Sequence, residues 1–213
     1  MKKAILNDII TVYRKVHSFF KGRFMSIRGE NSRSKILAVA RTLFAKKGYS
    51  KVTMQDICNE AGISRGGLYR HYSSTEEIFA AIIKRDEEDA LDFLASAVKS
   101  KISGKDMLLT FLSLRSNSYQ NPDSCIDNAI IEFASNSISG MDLLRNRANT
   151  SVHIVKEMIE LGRNDGSFSC TDSEGAAKLI LWSLEGMGKH SALFCLTNEE
   201  INTFISEIEF FLT

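Results

Sequence analysis

Apolar side chains recur at helical spacing along most of this 213-residue chain. Between residues 33 and 47 they return at every third or fourth position, which predicts a helix with one buried face. The stripe consists of Ile36, Leu37, Ala40, Leu43 and Phe44. Lys46, Lys47 and Gly48 follow it as a basic last turn and a glycine cap, so we expect the helix to end there.

Two short helices joined by a tight turn are predicted next. We expect Thr53 to cap the first helix, with Asp56 adding favourable charge to its first turn. Gly62 supplies the backbone freedom for a sharp turn, and Ser64 is placed to cap the second helix. This is the helix-turn-helix arrangement, in which the second helix presents its early residues to base edges and phosphates.

The rest of the chain predicts longer helices and no strands, since no segment alternates with a period of two. Ser74 and Glu77 have the spacing of a capping box that opens a fourth helix, and we interpret the acidic residues 86–89 along it as a solvated face. Further capping boxes begin at Thr171 and Thr197. The later helices are expected at residues 106–119, 125–137, 141–161, 172–194 and 198–212, with one of the breaks at Gly140.

Residues 1–24 form an N-terminal extension with an apolar face and surrounding Lys and Arg side chains. One interpretation is a basic amphipathic helix that extends the DNA contact or touches an anionic membrane surface. The others are an extra helix packed on the body, and a true start of the protein at Met25. We favour these last two.

Charge is strongly segregated along the chain. Residues 1–85 carry 17 Lys and Arg against 6 Asp and Glu, whereas residues 86–213 carry 10 against 20. The net charge of +1 hides this polarity. A basic half that contains a helix-turn-helix suits a polyanion, and the acidic half does not.

Four cysteines, Cys58, Cys125, Cys170 and Cys195, lie far apart and include no Cys-x-x-Cys pair. They are typical of buried thiols in a reducing compartment, which favours a cytoplasmic protein; a redox-sensing pair stays open as the alternative. No apolar run is long enough to span a bilayer, and no small-residue cleavage site follows the N-terminal segment. The sequence also lacks a phosphate loop, a nucleophile elbow and clustered Cys or His residues, so we predict no enzyme, no metal site and no cofactor.

The helix-turn-helix segment resembles the DNA-binding domain of the TetR (tetracycline-repressor-like) family of transcriptional regulators. The matching positions lie between about residues 33 and 80. They include Thr53, Ile57, Ala61-Gly62-Ile63-Ser64, Gly66, Leu68-Tyr69-Arg70-His71-Tyr72 and Ser74-Thr75-Glu76-Glu77-Ile78-Phe79. The resemblance implies an all-α protein, in which a three-helix DNA-binding domain at residues 25–80 precedes a helical ligand-binding and dimerisation domain at residues 81–213.

The resemblance also implies which residues touch DNA. We expect Arg65 to contact a base, because arginine can bond guanine bidentately, and Gly66 and Gly67 to let the backbone approach the duplex closely. The family often carries a small side chain at the position of Gly67, so its absence suggests more dependence on DNA shape. The full set is Thr53, Ser64, Arg65, Gly66, Gly67, Tyr69, Arg70, His71 and Thr75.

Three of these positions carry alternatives. Tyr69 can instead be a core phenol, and His71 can merely end the helix. Thr75 stands where the family usually carries a lysine, so it brings no charge to a phosphate; Lys51 or the basic N-terminal region can compensate. Leu68 is assigned to the core.

A helix-turn-helix that reads a short half-site gains affinity by pairing, so we expect a homodimer. The expected dimer interface, which we call the seam, consists of Gly175, Leu179, Trp182, Ser183, Gly186, Met187, Phe204, Ile208 and Phe211. The alternative is that these side chains are internal core. By resemblance the body also holds a cavity for a small-molecule effector. Its candidate lining, again with core as the alternative, is Phe111, Leu114, Ile130, Phe133, Val152, Val155, Met158 and Ile159.

The predicted function is therefore sequence-specific DNA binding by a dimeric transcriptional regulator. In the resembling family such a regulator is most often a repressor that a small-molecule effector releases from operator DNA. The effector must prefer the DNA-incompetent arrangement, because equal affinity for both arrangements would shift nothing. The alternative is an architectural or nucleoid-associated DNA-binding protein without an inducer, which would bind many sites with weak sequence preference.

Overall fold

The computed structural model describes residues 28–120, 126–136, 138–191 and 194–213. The predictions for residues 1–24 and for Cys125 lie outside these residues. Within them the chain forms nine α-helices and no strand, which confirms the all-α fold class. The helices are α1 (Arg28–Lys47), α2 (Met54–Ala61), α3 (Arg65–Tyr69), α4 (Thr75–Lys99), α5 (Gly104–Ser118), α6 (Asp127–Asn136), α7 (Ile138–Asn164), α8 (Ser173–Ser191) and α9 (Asn198–Leu212).

The described residues divide into two compact units. We call residues 28–88 and 126–149 the head unit, and residues 89–120 and 150–213 the body unit. The helix-turn-helix lies in the head unit, together with α6 and the first part of α7. The boundary expected between residues 80 and 81 stays a prediction.

The core of the head unit is built from the stripe expected on α1. All five side chains of that stripe are buried, and they pack in one cluster with apolar side chains of α2, α3, α4 and α6. Val52 fills the junction between α1 and α2, and the ring of Tyr49 lies 5.8 Å from the ring of Phe44. This packing fixes the orientation of α2 and α3 within the head unit.

The acidic residues on α4 are not the solvated face that the sequence suggested. The Arg41 guanidinium donates to both carboxylate oxygens of Asp86, at 2.7 and 2.8 Å, and Arg147 lies 3.9 Å from the same group. One carboxylate oxygen of Glu87 is buried and has no hydrogen-bond partner among the residues described. Only Glu88 of this run is as exposed as predicted. Asp86 thus joins α4 to α1 and α7 inside the head unit.

Two helix starts in the second half of the chain also differ from the prediction. α7 begins at Ile138 and continues through Gly140, so this glycine does not break the chain. α8 is capped by Asp172 rather than by Thr171, because the Asp172 carboxylate accepts a hydrogen bond from the Gly175 N–H at 2.9 Å. A carboxylate one residue closer to the helix therefore took the capping role.

The start of α9 matches the prediction. Thr197 caps it, with the Glu200 N–H 3.2 Å from the threonine hydroxyl, and the Glu200 carboxylate returns to the Thr197 N–H at 2.8 Å. The far end of α9 is tied to α5 by an ion pair of 2.5 Å between Lys105 and Glu209. Capping and pairing thus fix both ends of this helix within the body unit.

The cysteines are less uniformly buried than expected. Cys58 is buried in the head unit and Cys170 is half-buried, but Cys195 is exposed, so the expectation of buried thiols is wrong for Cys195. Burial raises the pKa of the Cys170 thiol. Of the helices described, none combines the length and the apolar character that crossing a membrane requires.

Candidate nucleic-acid interface

The N-terminus of α2 is capped by Thr53, as predicted. The Thr53 hydroxyl accepts a hydrogen bond from the Asp56 N–H at 3.2 Å, and it donates to the Asp56 carboxylate at 2.5 Å. That carboxylate also accepts from the Thr53 N–H at 2.9 Å and lies 2.9 Å from Lys47. The Thr53 hydroxyl, and after it Lys47, hold the pKa of Asp56 well below its ordinary value. A phosphate oxygen that approached the Thr53 hydroxyl would therefore have to displace a carboxylate.

The turn between α2 and α3 is closed by a glycine in the left-handed conformation. Gly62 has φ +63° and ψ +39°, and its N–H donates to the Asn59 carbonyl. A side chain at Gly62 would meet nothing within 4 Å, so the backbone angle and not crowding favours glycine here. The Ile63 N–H then donates to the Cys58 carbonyl at 3.1 Å, which completes the helix end.

α3 is short and presents its leading edge to solvent. Ser64 caps it by accepting a hydrogen bond from the Gly67 N–H at 3.1 Å. Arg65 and Gly66 are exposed, whereas Leu68 is fully buried in the core as predicted. The helix is thus anchored by one side chain, and its first turn is left accessible.

The two glycines of α3 differ in their surroundings. Neither has a positive φ, so no special backbone angle requires glycine at either position. A side chain at Gly66 would meet nothing within 4 Å, whereas one at Gly67 would lie 3.2 Å from the Ser64 hydroxyl. Nothing described within this chain therefore explains a glycine at Gly66. A glycine there is understandable if another molecule approaches the backbone from solvent.

The remaining polar side chains of α3 surround this edge. The Tyr69 side chain is 44% exposed, which excludes the core alternative, and its ring lies 5.5 Å beneath the Arg65 guanidinium. This cation–π contact holds Arg65 along the exposed surface of α3. Arg70 is exposed and His71 is half-buried after the last turn.

Thr75, the first residue of α4, faces the protein more than solvent. Burial raises the pKa of Tyr49 and Glu76 reinforces the rise, whereas the nearby Thr75 side chain opposes it. The N-cap of α4 also differs from the reciprocal capping box that was predicted for Ser74 and Glu77. Ser74 accepts from the Glu77 N–H at 3.1 Å, but the Glu77 carboxylate returns to the Ser73 N–H at 2.7 Å.

Comparison with known proteins matches this geometry to a family of regulators. Residues 36–82 match the family model of the bacterial regulatory proteins of the tetR family. The chain is 29% identical over 165 residues to the HTH-type transcriptional regulator QacR of Staphylococcus aureus, which covers 74% of this chain and 84% of QacR. Its helix-turn-helix segment is that of the TetR family.

Two further known proteins show how likeness in sequence and likeness in fold are distributed along the chain. The HTH-type transcriptional regulator YfiR of Bacillus subtilis is 42% identical over 62 residues, which span 29% of this chain and only 30% of YfiR. The solved structure of a TetR-family regulator from Agrobacterium tumefaciens covers 86% of this chain and 98% of its own, with a TM-score of 0.70 at 16% identity. Sequence likeness thus concentrates in the helix-turn-helix, while the fold is shared along most of the chain. TetR proteins are regulators and not enzymes, as predicted.

The expected dimer seam is partly exposed. The Trp182 side chain is 65% exposed, Leu179 and Phe211 are about half exposed, and Gly186 is exposed. The other residues of the expected seam are half-buried, apart from Ile208: Gly175, Ser183, Met187 and Phe204.

Ile208 is a correction to the expected seam. Its side chain is 8% exposed and lies on the inward face of α9, so it belongs to the core of the body unit. Phe210, which the sequence reasoning left out, is 79% exposed. The helical pattern alone does not separate Phe210 from its neighbours, because the apolar stripe of a helix is wide enough to bury two successive side chains.

The expected ligand lining falls into both units. Ile130 and Phe133 are buried in the core of the head unit, packed with the helix-turn-helix, so we withdraw them from the lining. The other six lie in the body unit. There, Val155, Met158 and Ile159 are fully buried, Phe111 and Val152 are half-buried, and Leu114 is 38% exposed. An open groove of about 560 Å³ in the body unit is bordered by other residues, among them Val98, Met107 and Leu161.

Proposed function

We propose that this protein is a sequence-specific DNA-binding transcriptional regulator. In our proposal it acts in the cytoplasm as a homodimeric repressor that a small-molecule effector releases from its operator. The observation that carries the proposal is the exposed first turn of α3. There a capped helix offers Arg65 and the uncovered backbone of Gly66 to solvent.

The chemistry of this turn suits a duplex. Arg65 can bond guanine bidentately in the major groove, and Arg70 adds positive charge for the phosphates. Tyr69 can donate its exposed hydroxyl to a phosphate oxygen. We retain Ser64, Gly67, His71 and Thr53 as proposed contacts. We regard Thr75 as the weakest member, because it is half-buried and carries no charge for a phosphate.

Pairing of two chains is supported by the exposed apolar side chains of α8 and α9. Leu179, Trp182, Phe210 and Phe211 present large apolar area to solvent, which is costly for a chain that stays alone. Two heads on one duplex also multiply specificity, since each reads only a short half-site. We propose that these side chains form the dimer seam.

We propose that the effector binds in the body unit, between α5 and α7. Phe111, Leu114, Val152, Val155, Met158 and Ile159 are the remaining proposed lining. Apolar and aromatic linings of this kind suit a small hydrophobic ligand. Binding releases DNA only if the ligand prefers the arrangement in which the two heads do not fit one operator.

The experiment that tests this function is selection of bound sequences from a pool of random double-stranded DNA, using the full-length protein. We expect one palindromic sequence whose half-sites are separated by about one helical turn, 10–10.5 base pairs, or a multiple of it. The Arg65→Ala variant should fail to enrich the same sequence. A broad set of unrelated sequences would instead support the architectural alternative.

A second stage uses the selected operator. Candidate small molecules of different charge and hydrophobicity are added, and dissociation of the complex is followed by fluorescence anisotropy. We expect at least one class to release the DNA. Selection of a palindrome without release by any class would leave the DNA-binding proposal standing and contradict the effector part.

A further inference from the structure

The turn between α1 and α2 sets where α2 begins. We call residues 48–52 the entry turn. It starts at Gly48, with φ +79°, and the Val52 N–H donates to the Tyr49 carbonyl at 3.3 Å. Thr53, which caps α2, follows immediately. Any displacement of the entry turn therefore displaces the N-terminus of α2, where the proposed phosphate contact lies.

A carboxylate from α6 is bound to this turn. One oxygen of Glu132 accepts a hydrogen bond from the Ser50 N–H at 3.1 Å, although the two residues are 82 positions apart. The same carboxylate lies over Gly48, where an added Cβ would stand 2.5 and 2.9 Å from its two oxygens. One turn further along α6, the Asn136 amide donates to the Ser50 hydroxyl at 3.4 Å.

An aromatic contact on the same helix supports this polar attachment. The ring of Phe133 lies 4.9 Å from the ring of Tyr49 in the entry turn and 5.0 Å from the ring of Phe79 on α4. The rings of Tyr49 and Phe79 are themselves 5.1 Å apart. α6 is thus held on the head unit by buried rings, and Glu132 adds a directional bond to one backbone N–H.

We propose that Glu132 is a positioning residue for DNA binding, which fixes the entry turn and with it the N-terminus of α2. The inference rests on the proposed function. A hydrogen bond to a charged acceptor is stronger than a neutral one, so it can hold an exposed turn in one position. The negative charge of Glu132 repels DNA phosphates and so weakens binding. The correct placement of α2 offsets this repulsion.

The sign of the effect separates this role from simple electrostatics. Removing a negative charge from a DNA-binding unit should by itself strengthen binding. If Glu132 positions α2, its removal should weaken binding instead. The variant should still fold. The Phe133 ring remains buried, and the N–H of the exposed Ser50 can donate its hydrogen bond to water instead.

The test compares Glu132→Ala, Glu132→Gln and the control Asp142→Ala in the full-length protein, on the operator that wild type selects. Asp142 is an exposed carboxylate of the same unit that pairs with Arg145. We expect Glu132→Ala to lose about tenfold in affinity, as the loss of one charged hydrogen bond can cause. Glu132→Gln keeps an acceptor oxygen and should retain most of the affinity, and Asp142→Ala should bind at least as well as wild type.

Two further measurements distinguish positioning from a general loss of structure. Hydrogen exchange should accelerate at the Ser50 amide in Glu132→Ala but not in Glu132→Gln. A double-mutant cycle with Thr53→Gly, a substitution that helix caps tolerate, should be non-additive for DNA affinity if Glu132 acts through the start of α2.

Failure of this inference is distinguishable from failure of the proposed function. If wild type selects no DNA sequence, the function itself is contradicted. If wild type binds and Glu132→Ala binds equally well, or Glu132→Gln loses as much as Glu132→Ala, or the cycle is additive, the positioning role is overturned.

Discussion

At the scale of single residues, Arg65 and Tyr69 are the side chains of the proposed DNA interface whose contributions can be tested one at a time. The guanidinium of Arg65 rests over the Tyr69 ring at 5.5 Å, so both side chains are ordered on the same exposed surface before any duplex arrives. Partial ordering in advance lowers the entropy that binding must remove. The contributions of the two residues can be distinguished experimentally, because Arg65 is proposed to contact a base and Tyr69 a phosphate.

For Arg65→Ala we expect a loss of about 1–3 kcal/mol at the selected operator and a relaxed preference at one base position. Tyr69→Phe keeps the ring under Arg65 but removes the hydroxyl, so it should weaken binding to all sequences evenly. Titration of the operator and of single-base variants by anisotropy measures both. Unchanged binding in both variants would mean that the assigned face of α3 is wrong.

Gly66→Ala should separate stability from DNA binding. The added methyl group meets no atom within 4 Å and the backbone angle is ordinary, so alanine should raise the free energy of unfolding by about 0.4–1 kcal/mol. The same methyl group should weaken operator binding, because it stands between the backbone and the duplex.

Gly62→Ala is the matched control for Gly66→Ala. It also has free space, but its φ of +63° strains any side chain, so urea denaturation should show a loss of stability. A Gly66→Ala variant that binds operator as well as wild type would contradict close approach at this position.

The carboxylate of Asp56 should make the head unit sensitive to acid. Its pKa is lowered in the folded chain, above all by the Thr53 hydroxyl and then by Lys47, so the unfolded chain takes up its proton more readily. The stability that it contributes is present above the ordinary aspartate value of about 3.9 and is lost as the pH falls towards the lower folded pKa. Urea denaturation of wild type and Asp56→Asn between neutral pH and pH 3 should show the two curves converging as acid is added. Parallel curves would rule out this linkage.

At the scale of elements, α6 is a component of the head unit, although the sequence reasoning assigned it to the ligand-binding domain. Phe133 is buried among rings from the entry turn and α4, and Glu132 bonds the turn itself. A helix far from the helix-turn-helix in sequence therefore stabilises it. Any event that moves α6 would act directly on the start of α2.

Phe133→Ala should accordingly destabilise the head unit. Removal of a buried phenyl ring costs about 3–5 kcal/mol, because the cavity left behind closes only in part. Hydrogen exchange should show the largest loss of protection in α1 and α2. Phe133→Leu, which retains most of the volume, should cost clearly less. Loss of protection confined to the body unit would show that α6 does not support the head.

At the scale of the whole molecule, the exposed aromatic side chains of α8 and α9 form the proposed dimer seam. A stable protein interface covers about 800 Å² on each partner and is centred on buried aromatic anchors. Trp182 and Phe210 have the size and the exposure for such anchors. An unpaired chain would leave them in water, at a cost that grows with their apolar area.

Trp182→Arg should therefore shift the protein from dimer to monomer in sedimentation velocity experiments and lower its operator affinity, since two heads no longer act together. Ile131→Arg is the matched control. Ile131 is also about half exposed, but it lies on α6 in the head unit, outside the proposed seam. A Trp182→Arg protein that stays dimeric would place the seam elsewhere.

The sequence by itself determined the local features of this protein. The caps at Thr53, Ser64 and Thr197 and the sharp turn at Gly62 were predictable, because each depends on residues within a few positions of one another. The buried faces of α1 and α4 were predictable for the same reason, since helical periodicity is a short-range property. The family resemblance added the role of α3.

Only the tertiary structure decided which distant groups meet. Nothing near Asp86 in sequence announces its pairing with Arg41, 45 residues away, and nothing near Glu132 announces the Ser50 N–H. Periodicity also could not tell that Ile208 faces inward while Phe210 faces solvent, or that Phe133 packs in the head. A sequence pattern states that a side chain is apolar or charged, whereas its partner depends on how helices far apart in the chain pack together.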